Sequence, residues 1–449
     1  MTTKKSEAKR AETGLSIRYP LVFLLLVLSA VAFLDRTNIS VAGIQIGREF
    51  AISNTRLGWV FSAFLIGYAS FQIPAGLLVR RFGPRLVLLL GCVWWGIFTA
   101  LTAVVPPGIA YALMLLILVR FALGAGEAVI YPASSQFVER WFPVIERGKA
   151  NGIIFAGVGL GSGLTPPIVT AIILHYGWRA SFWFSALIGI VIGVVWYMVA
   201  RNTPETHPWV GDAERSLIVA GRRLSNDAGT DDPANYGKHT IPWVKIFGSK
   251  AIYALTLSYF SFGYVAWIFF AWMYIYMATV RGLSLKSSAM YSSFPFIAMT
   301  VGCLLGGVVS DWISAHFGLR KGRCMLSGIA LASTAVLLLL GSRAHDARTA
   351  ALVLACGAGV LYVAQSSFFA VAADIAGEYT GIVSGMMNMG GQIGGACTAS
   401  LTPLIAAHFG WNMSFLTAAA LALMGGVAWM MVDPTKQLIP VVPNRSPEQ

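Results

Sequence analysis

Charge is what this sequence holds least of. Asp, Glu, Lys and Arg together make up 11% of its 449 residues, whereas a soluble domain carries roughly 25%. With 57% hydrophobic residues and a mean hydropathy of +0.70, a water-soluble globule is excluded and a lipid bilayer is the expected solvent. Cysteine is also scarce. Cys92, Cys303, Cys324, Cys356 and Cys397 lie in or beside apolar runs, with no CxxC or Cys/His metal spacing, so neither a metal nor a cofactor is expected. No nucleophile–base pair or cofactor motif emerges, which argues against an enzyme. Acidic residues number 19 against 32 Lys and Arg. In a soluble protein that surplus suggests nucleic acid, but here it sits in short loops, as membrane orientation requires, and nucleic acid is not an expected partner.

Long apolar runs recur along the whole chain, and at ~20 residues per helical span there is room for twelve. They fall near 20–42, 57–79, 86–106, 109–131, 151–174 and 180–200, then 252–278, 289–310, 324–341, 348–371, 381–405 and 412–432. The expected fold is therefore an all-α membrane protein with two six-helix halves, 20–200 and 251–432. Between them lies a polar linker, 201–250, and the chain begins and ends with tails 1–19 and 433–449. The linker mixes Pro204, Pro208, Asp212, Glu214, Arg222, Arg223, Asp231, Asp232 and Pro233. That composition cannot build a core, and part helix, part disorder is expected. The first run follows Lys4, Lys5, Lys9 and Arg10 and includes Ala30-Val31-Ala32. Its apolar character continues past those residues, so a cleaved signal peptide is not expected.

Every second loop faces the same side. The tails and the loops on their side carry 23 Lys/Arg, the opposite loops seven, and the last two, Arg36 and Arg120, fall inside spans. Positive loops stay in the cytoplasm, which places both tails and the linker there, in a cell inner membrane. A repeat supports the two-half reading: His175-Tyr176-Gly177-Trp178 is echoed 233 residues later by His408-Phe409-Gly410-Trp411, and Gly152 by Gly385 at the same offset. Such duplication suits a transporter whose halves rock about a central site.

The run Gly76 to Arg85, GLLVRRFGPR, resembles the signature loop between spans two and three of the major facilitator superfamily, and Gly307 to Asp311 is its weaker echo. Arg80 stands where the family usually has an acid. A second signature, RFALGAG from Arg120 to Gly126, is intact. Asp35-Arg36, Tyr68 with Gln72-Ile73-Pro74, and Arg120 with Glu127 together look like the anion:cation symporter family within it. That family includes bacterial transporters of hexuronates, galactonate and glucarate, and vesicular transporters of sialic acid and glutamate. The resemblance implies the major facilitator fold, two pseudo-symmetric six-helix halves, and symport of an organic anion with protons. It further implies that the acids Asp35 and Glu127 serve coupling and that Arg36 meets the substrate carboxylate. Val158 and Phe33 replace a glutamine and a tyrosine that some sugar-acid members carry.

The residues themselves point the same way. A charge in mid-span costs ~2.5–3.5 kcal/mol on insertion scales, so such groups normally face a cavity and mark a pathway. Arg120 and Glu127 are two helical turns apart and project from one face of span four. Adjacent Asp35 and Arg36 diverge by about 100°, so Asp35 can face span four while Arg36 faces the central cavity. A planar guanidinium stays charged and holds a carboxylate through paired hydrogen bonds, making Arg36 the substrate clamp. Burial penalises the charged form of a carboxyl and a nearby Arg favours it, so Asp35 and Glu127, with Arg120, are the proton-coupling candidates. The bland reading is a static charge-balanced network pinning spans one and four.

Tyr68 and Gln72, one turn apart, can serve a polyhydroxylated substrate or simply bond between helices. Gln392 is favoured over Asn388 in span eleven. Trp272 and Tyr276 in span seven, with Gln365, Ser366 and Ser367 in span ten, are further candidates. The row Gly157, Gly159, Gly161 and Gly163, ahead of Pro166-Pro167, reads as close helix packing, not a phosphate loop. The expected function is proton-coupled symport of a sugar acid (hexuronate, aldonate or aldarate) by a monomer. The alternatives are a non-sugar carboxylate such as an aromatic acid, or a membrane sensor that binds the anion without moving it.

Overall fold

The computed structural model describes residues 16–218, 243–376 and 380–436. Lys4, Lys5, Lys9 and Arg10, the linker from 219 to 242 and the tail beyond 436 lie outside them. Among the described residues the regular structure is helical. Spans one to six are Arg18–Glu49, Asn54–Phe82, Pro84–Val104, Ala112–Trp141, Val144–Tyr176 and Trp178–Val199. Spans seven to twelve are Lys250–Val280, Leu285–Phe317, Arg320–Arg343, Ala347–Ala376, Thr380–Phe409 and Trp411–Met430. Eleven are long and apolar enough to cross a bilayer. Span eleven, at 30 residues, falls outside that group: Asn388, Gln392 and a run of glycines dilute its hydropathy.

Most spans outrun the apolar runs that announced them, span one reaching 32 residues. Apolarity marks the part inside hydrocarbon, whereas helical hydrogen bonding continues through the interface. Two spans are interrupted at matching places. Span four is Ala112–Glu127 followed by Ile130–Trp141, and span ten is Ala347–Val363 followed by Gln365–Ala376.

The repeat has a backbone counterpart. Gly177 joins spans five and six at φ 81°, ψ 164°, and Gly410 joins spans eleven and twelve at φ 84°, ψ 161°. This region is open essentially to glycine alone. The halves also share a packing device. In lipid there is no hydrophobic drive between helices, so small residues that let backbones approach carry association. A Cβ on Gly161 of span five would lie 2.1 Å from the Ala30 carbonyl oxygen of span one, and one on Gly394 of span eleven 2.1 Å from the Phe260 carbonyl oxygen of span seven. The span-five glycines are thus packing residues, as their apolar setting implies.

Two compact units emerge: Met1–Ile46 with Gly67–Thr240, and Gly47–Ile66 with Ile241–Gln449. Within the second, Ser62 of span two donates to the Ala396 carbonyl at 2.6 Å and lies 2.7 Å from Ser400 Oγ, which is why the start of span two groups there.

The start of the linker is better ordered than its composition suggests. Arg201 carbonyl accepts from Trp141 Nε1 at 3.1 Å, and Asn202 Oδ1 accepts from the Arg85 N–H at 3.1 Å. Glu214 accepts from Ser16 Oγ and from the N–H groups of Ile17 and Arg18 at 3.1 and 3.3 Å, while Arg18 also bridges to Glu146 at 3.1 Å. Residues 201–218 therefore fold onto the ends of spans one, three and four, and span one in turn is tied to span five through Arg18 and Glu146. The polar side chains that cannot build a core can still tie helix ends together.

Candidate functional site

Span one carries Asp35 and Arg36 at mid-length, and the first unit buries both together with Arg120 and Glu127, none more than 5% exposed. Arg36 Nε donates to Glu127 Oε2 at 2.8 Å. Its guanidinium lies between two rings, 4.5 Å from the Phe33 centroid and 4.6 Å from Tyr68. The Tyr68 hydroxyl bonds to the side chains of Arg36 and Gln72, so these three predicted residues form one group. Asp35 Oδ2 accepts from Thr99 Oγ1 of span three at 2.7 Å, and Arg120 is the strongest charge acting on it.

An ion pair thus crosses between spans one and four, Arg36 with Glu127, and Arg120 of span four acts electrostatically on Asp35 of span one. Arg36, expected to face the central cavity while Asp35 faced span four, also reaches span four. An arginine in a low-dielectric interior gains more from an opposite charge within reach than from an open cavity, and its long side chain crosses to Glu127. The second oxygens, Asp35 Oδ1 and Glu127 Oε1, are buried without a hydrogen-bond partner among the described residues. Each acid therefore has one oxygen anchored and one available.

Tyr131 completes the ring around Arg36. Its hydroxyl is 3.1 Å from Ser29 Oγ, its ring stacks on Phe155 at 5.0 Å, and it lies within electrostatic reach of Arg36. Sequence reading missed it, although it sits one turn beyond Glu127, just past the break in span four. Thr99 was missed as well, since one threonine in an apolar span carries no signal.

In the second unit Trp272 is fully buried, 5.3 Å from the Phe61 ring and 6.3 Å from Trp411 by centroids, with Nε1 unpartnered among the described residues. Gln392 Oε1 is likewise buried without a partner there. Of the weaker candidates, Ser366 Oγ is buried without a partner among the described residues, while Tyr276, Ser367 and Gln365 make contacts elsewhere. Tyr276 OH accepts from Arg281 Nε at 2.9 Å, Ser367 lies 3.3 Å from Ser310, and Gln365 Nε2 donates to Tyr259 at 3.3 Å. Among the described residues no group of three His, Cys, Asp or Glu is placed to hold a metal.

The family model described as Major Facilitator Superfamily matches residues 25–399 and 313–446. The chain belongs to the Major Facilitator Superfamily. It is a multi-pass secondary transporter, and its charged site lies in the first six-helix half of that fold. It is 30% identical over 419 residues to a probable sulfoacetate transporter of Cupriavidus necator, covering 93% of this chain and 94% of that one. It is 29% identical over 388 residues to a probable L-galactonate transporter of Escherichia coli, covering 86% and 81%. A bacterial homolog of the human lysosomal transporter Spinster shares the fold at TM-score 0.73 and 16% identity, covering 92% of this transporter and 96% of that chain.

Proposed function

We propose that this transporter moves a small organic anion together with protons, and that the anion is a sugar acid. The single observation that carries this reading is the 2.8 Å contact between Arg36 and Glu127. An internal carboxylate occupies the guanidinium that would clamp a substrate carboxylate. Protonation of Glu127 weakens that contact and frees the fork for the substrate. Deprotonation restores the rival and expels the anion. Binding and protonation are then linked by competition for one group, which is what symport requires. Tyr68, Gln72 and Tyr131 surround Arg36 with hydroxyl and amide groups suited to a polyhydroxylated chain, while Trp272 and Gln392 are the substrate candidates of the second half. Asp35, hydrogen-bonded to Thr99 and within electrostatic reach of Arg120, is the second proton site.

Similarity to a probable L-galactonate transporter supports a sugar acid. Similarity to a probable sulfoacetate transporter supports a second reading, a non-sugar carboxylate. A panel of labelled hexuronate, aldonate, aldarate, sulfoacetate and aromatic acids, offered to proteoliposomes with an inside-alkaline pH gradient, separates the two. The loop-charge imbalance orients the chain with both termini and the linker in the cytoplasm.

A further inference from the structure

We infer that His207 is a pH-sensitive catch, which in its neutral form fastens the start of the linker to the ends of spans four and six and on protonation releases it and slows transport. It lies apart from the charged site around Arg36, and its effect on rate rests on the transport reading above. His207 follows the short helical turn Pro204–Thr206 and is 2% exposed. The Trp209 N–H donates to its Nδ1 at 3.2 Å. An amide N–H cannot accept, so Nδ1 carries the lone pair and the ring proton sits on Nε2, which donates to the Val199 carbonyl at the end of span six at 3.0 Å. One tautomer of the neutral ring fits. Two indoles hold that ring edge to face, Trp141 at 5.4 Å and 87° and Trp209 at 5.4 Å and 72°. Trp141 is the last residue of span four, the span that carries Arg120 and Glu127. It donates Nε1 to the Arg201 carbonyl at 3.1 Å and stacks at 5.1 Å on Phe137, which meets Trp196 of span six at 5.0 Å.

A second ring proton would sit on Nδ1 and face the Trp209 N–H, donor against donor, in a place closed to water. The ring must then give up Trp209 or turn and give up Val199, and either move undoes the seat beside Trp141. Burial is the strongest influence against the charged form. Of the charges acting on the ring, Arg201 opposes protonation and Glu214 favours it, while spans four and six face it with an indole and a carbonyl, neither of them ionisable. The imidazole is held below the ordinary histidine value, so the catch is closed at neutral pH and opens as pH falls below about 6.5. A transporter that brings protons in with its anion acidifies the side the linker faces in the orientation above. A catch that opens there slows further entry.

The test is amide hydrogen exchange and anion exchange on the full-length protein in proteoliposomes, at equal pH on both sides. After correction for the intrinsic pH dependence of amide exchange, protection of residues 203–210 should fall about threefold or more in wild type between about pH 7.5 and 5.5, while that of span three stays constant. His207→Asn can still accept from the Trp209 N–H, and His207→Gln can still donate to the Val199 carbonyl. Neither titrates, so protection in both should be flat over that range, whether the segment is docked or released. Exchange of labelled for unlabelled acid, read with each member of the uptake panel, should drop on the same acidification about twofold or more further in wild type than in either variant. A flat wild-type profile, or variants that lose protection in parallel with wild type, would overturn the catch. Release of the segment with anion exchange falling equally in all three proteins would overturn its control of transport. A wild type that exchanges no acid of the panel refutes the proposed substrate class and the control of rate with it, an outcome distinct from a working transporter whose pH response the variants leave unchanged.

Discussion

Glu127→Gln removes one charge and keeps the shape of the side chain. Arg36 Nε lies 2.8 Å from Glu127 Oε2, in a region where the two residues are 5% and 0% exposed. A substrate carboxylate must therefore take the guanidinium from a carboxylate already in place. A hydrogen bond to a charged group is worth about 1.5–3 kcal/mol, and each 1.4 kcal/mol is tenfold in affinity, so an ionised Glu127 weakens binding about 10- to 150-fold. The amide variant should bind the anion more tightly by about that factor wherever the wild-type acid is ionised. Its affinity should also lose pH dependence. In the wild type affinity falls as pH rises, because deprotonation restores the competitor, whereas the amide does not titrate. Accumulation driven by a pH gradient should be lost while exchange persists, since exchange does not need the empty carrier to return. Calorimetry at several pH values, with uptake in parallel, measures both. A variant whose affinity and pH dependence match the wild type, or that still concentrates substrate, would refute the competition.

Arg36→Lys keeps the charge but loses the planar fork and its seat between Phe33 and Tyr68, so anion binding should weaken about tenfold or more while the protein still inserts; unchanged affinity would remove the clamp. Gly161→Val places side-chain carbon against the Ala30 carbonyl, 2.1 Å from where the first atom must go, and should lower the melting temperature of the purified protein by forcing spans one and five apart; an unchanged melting temperature would contradict the close approach. His207, between span six and the rest of the linker, accepts from the Trp209 N–H at 3.2 Å through Nδ1, and burial holds its imidazole below the ordinary histidine value. Its folded form resists protonation, so stability present above about pH 6.5 is lost as pH falls below that unfolded value. Thermal unfolding of wild type should therefore soften on acidification more than that of His207→Leu, and parallel curves would exclude this role. A single cysteine at Ser225 should resist impermeant thiol reagents in intact cells; labelling from outside would reverse the topology.

The four buried charges were legible because a charge in an apolar run is an anomaly with few explanations. Their pairing was not. Helix phase separates Asp35 from Arg36, but it says nothing of how far an arginine side chain reaches, and that reach joins Arg36 to Glu127. Span count and the two halves followed from apolar periodicity and from the His175 to Trp178 repeat, which reappears as matched glycine dihedrals. The break after Glu127 has a sequence cause in Pro132, which cannot donate to the Ala128 carbonyl four residues back, whereas the segment around the break after Val363 carries no proline and reads as continuous apolar helix. Tyr131 and Thr99 were hidden by their ordinariness in membrane helices. The ordered start of the linker was hidden because single polar contacts such as Asn202 to Arg85 have no compositional signature.

The most direct measurement is uptake of a labelled anion by the purified protein in proteoliposomes, with an imposed inside-alkaline pH gradient and with none. The expected result is accumulation above the external concentration only with the gradient, accompanied by proton entry, and its loss in Glu127→Gln with binding intact. Equilibration to the same level with and without the gradient would contradict proton coupling through the Arg36–Glu127 contact.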